Sequence, residues 1–311
     1  MRVGLLFIGG ESMTAVPDYL YRHTNINNLK HILQDRTIRF SPLDKMDDET
    51  EMKSCYENVF GRFLTEGEGQ YVFISCWTDK EEEDIKMWND YCRPNEEGVR
   101  IKLPIRPFSE TENLFSSLPL TEGSLLIQLK CAMLKQYLGK EPADIEEDIA
   151  MTRELEKKNP HLIESFREYV KEVMRHAPTF YAPEPNKNIC QIEYTDDLNK
   201  IYPTIYHLNS EINWADYGPF GMVKPTSWAW QKEWRYYIIC KPYIPGKITA
   251  NQGIIHYPLP FDHIDVKLDI DKLKELEITL NPWISSESRN VVEQLVRDSG
   301  LSIPVYESRL K

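Results

Sequence analysis

The chain has 311 residues, 37 Lys and Arg against 49 Asp and Glu, and a net charge of −12, which argues against a protein that coats nucleic acid through a basic face. Its 41% hydrophobic and 11% aromatic content is enough for one sizeable core, and no apolar run approaches the ~20 residues of a membrane-spanning helix. "MRVGLLFIGGES" has no clear small-residue cleavage site, so no secretory leader is expected; the six cysteines show no CxxC spacing and suit a reducing cytoplasm.

In chain order, "VGLLFI" reads as a first strand or a loosely attached segment. Residues 19–40 read as strand, helix, strand: "YLYRHT" alternates, Asn25 is a good N-cap, and Ile26, Leu29, Ile32 and Leu33 form one apolar stripe. "PLDKMDDETEM" reads as a polar turn leading into a helix through about Leu64, and "EGEGQ" as a loop. "QYVFISCWT" alternates cleanly, with Tyr71, Phe73, Ser75 and Trp77 on one face. "DKEEEDIKMWNDYC" follows as a helix with an acidic start, which suits the positive end of its dipole. "EGVRIKLP" and "SLLIQLKCAML" read as strands.

Residues 142–180 read as a charged, helical insertion in a single domain, after which "NICQIEYT" resumes the strands. Residues 200–230 are rich in Pro, Gly and aromatics and read as a long loop with one helix. "EWRYYIIC", "IDVKLD", "LEITLNP" and "SIPVYESRL" read as strands, and "SESRNVVEQLVRDSG" as a helix stopped by Gly300. The irregular order of strands and helices gives an α+β class rather than a doubly wound parallel sheet.

There is no GxGxxG, no GxxxxGK[ST], no HExxH and no GxSxG. The acidic stretch "DDETE" (47–51) admits two readings, a solvated helix start or a divalent-cation site serving a nuclease. In "WAWQKEWRYYIIC", strand alternation puts Glu233, Arg235, Tyr237 and Ile239 on one face, with Gln231 joining them if the strand begins early. A charge buried among aromatics is either paired or used: Glu233 and Arg235 form a structural ion pair, or Arg235 holds Glu233 ionised for work on a developing cation. "YRHT" sets His23 and Thr24 just before a helix start, a place for ligand contact or for capping and packing. Ser75 and Trp77 offer a hydroxyl and a flat wall for a planar ligand, or core packing. Trp88 and Tyr91, three apart on one helix face, carry the same two readings.

Five segments taken together, "LYRHTNINNLKHILQDRTIRFSPLDKMDDETE", "YVFISCWTDKEEEDIKMWNDYCRPNEEGVRIKL", "IEYT", "WQKEWRYYII" and "ITLNPWISSESRNVVEQLVRDSGLSIPVYESRL", resemble a widespread bacterial domain family of unknown function. The chain departs from that pattern at Asp47-Asp48-Glu49, where Asn-Asp-Pro is usual, and at Asn281-Pro282, where Gly-Pro is common. The strand-borne His-Thr and the late Gln231-x-Glu233 further resemble ADP-ribosyltransferases, including the DNA-modifying toxins of toxin–antitoxin systems. That second resemblance implies a split mixed or antiparallel sheet flanked by helices, with NAD as substrate. It implies Glu233 as the catalytic carboxylate and Gln231 as the residue that helps select the acceptor. It also implies His23 and Thr24 at the nicotinamide end, Ser75 on the second strand with Trp77 stacking nearby, and Arg39 or Arg235 facing the pyrophosphate, with Ser41 beside them. The partners implied are a nucleotide, an acceptor that is nucleic acid or protein, and a possible partner protein of a toxin or antiphage defence system, with no membrane involved. A non-catalytic nucleotide- or protein-binding sensor module is the alternative.

Overall fold

The computed structural model describes residues 16–92, 97–110, 184–208, 213–241 and 261–310, with short pieces at 150–151, 153–154, 157–158, 179–180, 248–249, 253–254 and at 259. "VGLLFI", "SLLIQLKCAML" and nearly all of the insertion expected at 142–180 lie outside the described residues. From that insertion Glu154 and Lys158 are helical and form an i,i+4 ion pair.

The strands in chain order are β1 (Tyr19–Asn25), β2 (Thr37–Pro42), β3 (Lys53–Asn58), β4 (Gly61–Glu66), β5 (Val72–Thr78) and β6 (Gly98–Pro104). They continue with β7 (Thr179–Phe180), β8 (Ile189–Gln191), β9 (Glu193–Tyr194), β10 (Thr204–Leu208), β11 (Asn213–Ala215) and β12 (Val223–Lys224). The last six are β13 (Glu233–Lys241), β14 (Ile248–Thr249), β15 (Gly253–Ile254), β16 (Ile264–Lys267), β17 (Glu277–Leu280) and β18 (Val305–Tyr306). Besides the helical pieces at 150–151, 153–154 and 157–158, the helices among the described residues are α1 (Ile26–Lys30), which runs on into a π-helical turn His31–Asp35, then α2 (Ile85–Cys92), α3 (Leu198–Ile201), α4 (Ile270–Leu273) and α5 (Ser286–Ser299). Strands and helices mix without regular alternation, so the fold is α+β.

Among the described residues the main sheet has ten strands, and β5 is its junction. One edge of β5 pairs along its whole length with β13, antiparallel, from Val72↔Ile239 to Thr78↔Glu233. The other edge is shared. Thr78 pairs with Tyr21 of β1, while Ile74 and Phe73 pair with Ser41 and Pro42 of β2. Residues 75–77 lie between these contacts and take no strand partner on that edge, so β1 and β2 diverge there and the sheet splits. β1 leads on to β6, β17 and β18; β2 leads to β16.

Strand alternation decides which face is core. Trp234, Tyr236, Ile238 and Cys240 are all buried, and rings stack edge-on from Trp77 to Tyr236 to Phe108 at 6.1 and 5.0 Å. This apolar side, with Leu20, Phe40, Phe73 and Ile278, excludes water and anchors the sheet. Glu233 and Arg235 necessarily point the other way.

The local signals read from sequence hold at both ends of the chain. Asn25 caps α1 by accepting from the Asn28 amide at 2.8 Å, Ser285 caps α5, and Gly300 at φ 70° ends it. Three expectations fail. The helix expected through Leu64 is a β3–β4 hairpin: Tyr56, Phe60, Phe63 and Leu64 have helical spacing, but Asn58 accepts from the Phe60 amide at 2.8 Å and Gly61 takes φ 137°, which turns the chain. The acidic run before Ile85 is not part of α2, although Asp84 accepts from the Lys86 amide at its start. Residues 200–230 hold α3, β10, β11, β12 and a 3-10 turn at Thr226–Gln231 rather than one long loop. β10 pairs in parallel with β3, building a second sheet of order β11-β10-β3-β4 beside the first.

Candidate active site

The split opens a cleft of about 230 Å³ on the polar side of the main sheet. His23 of β1, Ser41 of β2, Cys76 of β5 and Glu233 and Arg235 of β13 line it, with Tyr91, Glu51, Lys224, Trp228 and Gln231 brought in from outside the sheet. His23 and Glu233 therefore face one cavity from opposite sides of β5.

The turn before β13 sets the carboxylate. The 3-10 turn Thr226–Gln231 is followed by Lys232 at φ 46°, a left-handed conformation that costs a non-glycine residue energy and reverses the chain abruptly. Thr78 fixes the turn by donating its hydroxyl to the Gln231 carbonyl at 2.7 Å, and Tyr194 accepts from the Glu233 amide at 2.8 Å. As a result Gln231 and Glu233, though the strand starts only at Glu233, both point into the cleft. Gln231 donates its amide to the Tyr91 hydroxyl at 2.6 Å.

Glu233 sits in a buried four-charge cluster. Its Oε1 accepts from Arg235 Nε at 2.5 Å and its Oε2 from Lys224 Nζ at 2.7 Å. Both cations also reach Glu51 Oε1, Arg235 Nη2 at 2.7 Å and Lys224 at 3.3 Å. Arg235 spends Nη1 on the Gly221 carbonyl at 2.6 Å. Gly221 has φ 73° and a Cβ there would meet the Leu43 side chain at 2.7 Å, so any larger residue would be strained at this carbonyl. Burial works against charge on Glu233, but Arg235 and then Lys224 outweigh it and hold its carboxyl down at about 2. Glu233 is thus ionised across the physiological range. The Glu233–Arg235 pair is thus a buried ion pair, and both residues line the cleft.

Across the cleft, His23 is 8% exposed and packs edge-on against Trp88 with ring centres 4.6 Å apart. Burial, followed by the nearby Arg100 guanidinium, lowers its pKa to about 3, so the imidazole is neutral. Neither of its ring nitrogens has a hydrogen-bond partner among the described residues. Cys76, between His23 and Arg235, is pushed up to about 12 by burial and then by Glu233, which leaves it an inert thiol.

Several expected site residues go elsewhere. Arg39 leaves the cleft: it is on the half-exposed β2–β16 edge and holds Asp265 through Nε and Nη2 at 2.8 and 2.9 Å, because β16 supplies an aspartate directly opposite it. Ser75 and Trp77 lie on the apolar side of β5, where Ser75 accepts from Arg22 Nη1 and Trp77 Nε1, each at 3.0 Å; Trp77 borders the cleft but its ring packs on Tyr236. Thr24 accepts from Asn28 Nδ2 at 3.0 Å and serves the start of α1. Arg235 lines the cleft, but its guanidinium is spent on Glu233, Gly221 and Glu51 rather than turned to a pyrophosphate. Ser41 does line the cleft. Trp88 is core, whereas Tyr91 is 46% exposed at the cleft.

Glu51 and Lys224 were not legible as site residues. Glu51 belongs to the acidic stretch 47–51, where Asp48 caps the turn by accepting from the Thr50 amide at 2.9 Å. Lys224, on a two-residue strand, carries no sequence pattern of its own. Among the described residues no three His, Cys, Asp or Glu side chains converge as a metal site, and no helix is long and apolar enough to cross a membrane. Comparison with protein-family models, with curated proteins and with solved structures finds no match to the chain.

Proposed function

We propose that the cleft is the active site of a NAD-consuming enzyme, an ADP-ribosyltransferase or NAD glycohydrolase, in which Glu233 assists cleavage of the nicotinamide–ribose bond. The observation that carries this reading is the placement of an ionised, buried Glu233 with Gln231 on one wall of a cleft and a neutral, unpartnered His23 on the other. As the bond breaks, its electron pair leaves with the nicotinamide nitrogen and positive charge develops on the ribose ring. A preorganised carboxylate in a water-poor site stabilises that charge more than it stabilises the neutral sugar. An acceptor group or water then attacks the same carbon. Gln231, buried and hydrogen-bonded to the half-exposed Tyr91, is the side chain we assign to acceptor selection. A role as a bacterial toxin or antiphage effector would follow from NAD consumption.

One observation favours a second reading, a nucleotide-binding sensor without turnover: each oxygen of Glu233 already holds a cation, which weakens its pull on a third positive charge. Nicotinamide release from NAD by the wild-type chain and by Glu233→Gln separates the two. Release that the substitution abolishes supports the enzyme; NAD-induced thermal stabilisation without release supports the sensor; neither effect removes both.

A further inference from the structure

Buried polar atoms in folded proteins are nearly all hydrogen-bonded, and each exception calls for a reason. Four of the exceptions here lie in the walls of this one cleft: both ring nitrogens of His23, Oδ2 of Asp48 and Oε2 of Glu51. The Glu51 side chain is only 1% exposed, so leaving one of its carboxylate oxygens unpaired is costly. Its other oxygen is fully engaged by Arg235 and Lys224.

Lys224 and Arg235 do not answer this need, because they are spent. Lys224 Nζ meets Gln231 Oε1 at 3.1 Å, Glu233 Oε2 at 2.7 Å and Glu51 Oε1 at 3.3 Å, one acceptor for each of its three hydrogens. Arg235 is divided among Glu233, Gly221 and Glu51. The two Glu and the two cations cancel in charge. Around Glu51 and Asp48 the wall still offers a ligand carboxylate acceptors, while the neutral His23 imidazole and the Arg22 guanidinium, which donates through Nη1 to Ser75, also line the cleft. The two carboxylates fit hydroxyl groups and repel phosphate at their own end.

We infer that Glu51 is a second ligand-binding carboxylate, which with Asp48 takes the hydroxyl groups of a ribose, so that sugar hydroxyls and not phosphates set affinity at this end of the cleft. The inference rests on the reading of the cleft as a nucleotide site and adds a binding role for the 47–51 turn.

The test is titration calorimetry on the full chain with carba-nicotinamide riboside, its 2′-deoxy and 3′-deoxy forms, and its 5′-phosphate. These carry no ring oxygen and cannot form the oxocarbenium ion, so binding is read without turnover. A hydroxyl donating to a buried carboxylate is worth about ten- to hundredfold in affinity. The wild type is expected to lose that factor with at least one deoxy form and to gain less than about tenfold from the phosphate. In Glu51→Gln the deoxy penalty should shrink to within about twofold. Asp48→Asn, which lies outside the ion-pair cluster, gives the same reading if Glu51→Gln does not fold. A deoxy penalty unchanged in both variants, affinity supplied mainly by the phosphate, or no binding of any of these probes would each overturn the inference. Nicotinamide release is scored separately: a Glu51-dependent hydroxyl penalty without release leaves the inference standing and removes the enzymatic reading, and Glu233-dependent release with an unchanged penalty does the reverse.

Discussion

Two buried carboxyls a few strands apart are driven in opposite directions. Glu233, in the cleft, is held down at about 2 because Arg235 and Lys224 outweigh its burial. Glu68 is fully buried where the second sheet meets the first; burial raises it to about 7, and its own backbone hydrogen bond and the Ser54 hydroxyl offset that only in part. One site retains a charge by surrounding it with cations. The other is a structural acid close to neutrality at physiological pH, near the Tyr206–Tyr217 hydroxyl pair at 2.6 Å. A buried carboxylate surrounded this way often gains no net stability over a well-packed apolar side chain.

The largest way to break this comparison is to strip the cations. Arg235→Leu leaves Glu233 and Glu51 buried with Lys224 alone and should destabilise the chain by about 3–5 kcal/mol in urea denaturation. A loss under about 1 kcal/mol would mean that the cluster is open to water. Next comes acid titration of Glu233. Its folded pKa lies below the unfolded value, so its stabilisation is present above about 4.5 and disappears as pH falls toward about 2, a change on the order of 3 kcal/mol. Glu233→Gln should flatten that limb.

Glu68 and His23 give a finer contrast because their slopes oppose. The folded state holds an extra proton on Glu68 between about 4.5 and 7, so that stabilisation is lost as pH rises through 7. The unfolded state holds the extra proton on His23 between about 3 and 6.5, so stability there is lost as pH falls. The two nearly cancel from 4.5 to 6.5. Glu68→Gln should expose a stability that rises with pH in that window, and His23→Leu one that falls with pH. His23→Leu should also gain about 1 kcal/mol near pH 7, since it removes two unpartnered nitrogens, while costing ligand affinity. If both variants keep the wild-type pH profile in denaturant melts, the assigned environments are wrong. The smallest effect is expected of Arg39→Ala, which breaks a half-exposed ion pair with Asp265. It should cost no more than about 1 kcal/mol and leave ligand binding unchanged.

Much of the fold was legible where a local signal and the tertiary environment agree. Alternation in β5 and β13, the Asn25 and Ser285 caps and the Gly300 stop each follow from the residue itself. The hairpin at 53–66 was not, because its apolar residues have helical spacing and only the Asn58 and Gly61 turn chemistry contradicts it; Phe60 ends 88% exposed. In the site, Glu233 and His23 face the cleft from their places on strands, whereas Gln231, expected to join that face if the strand begins early, reaches it from the 3-10 turn before a strand that starts only at Glu233. Ser75, Thr24 and Trp77 go elsewhere because residue type cannot tell which face of a strand opens on a cavity once the sheet splits, and Arg39, on the same face of β2 as Ser41, because Asp265 stands opposite it. Glu51 and Lys224 were missed because their role exists only in the cluster that four distant segments assemble.

If the cleft between His23 and Glu233 breaks a nicotinamide–ribose bond, the decisive measurement is nicotinamide release from NAD at pH 7 by the wild type, Glu233→Gln and Arg39→Ala, each verified as folded by thermal melt. The account predicts release by the wild type and Arg39→Ala at similar rates, and a loss of about a hundredfold or more in Glu233→Gln. Equal rates in all three, or no release by the wild type with water, nucleic acid or protein as acceptor, would contradict it.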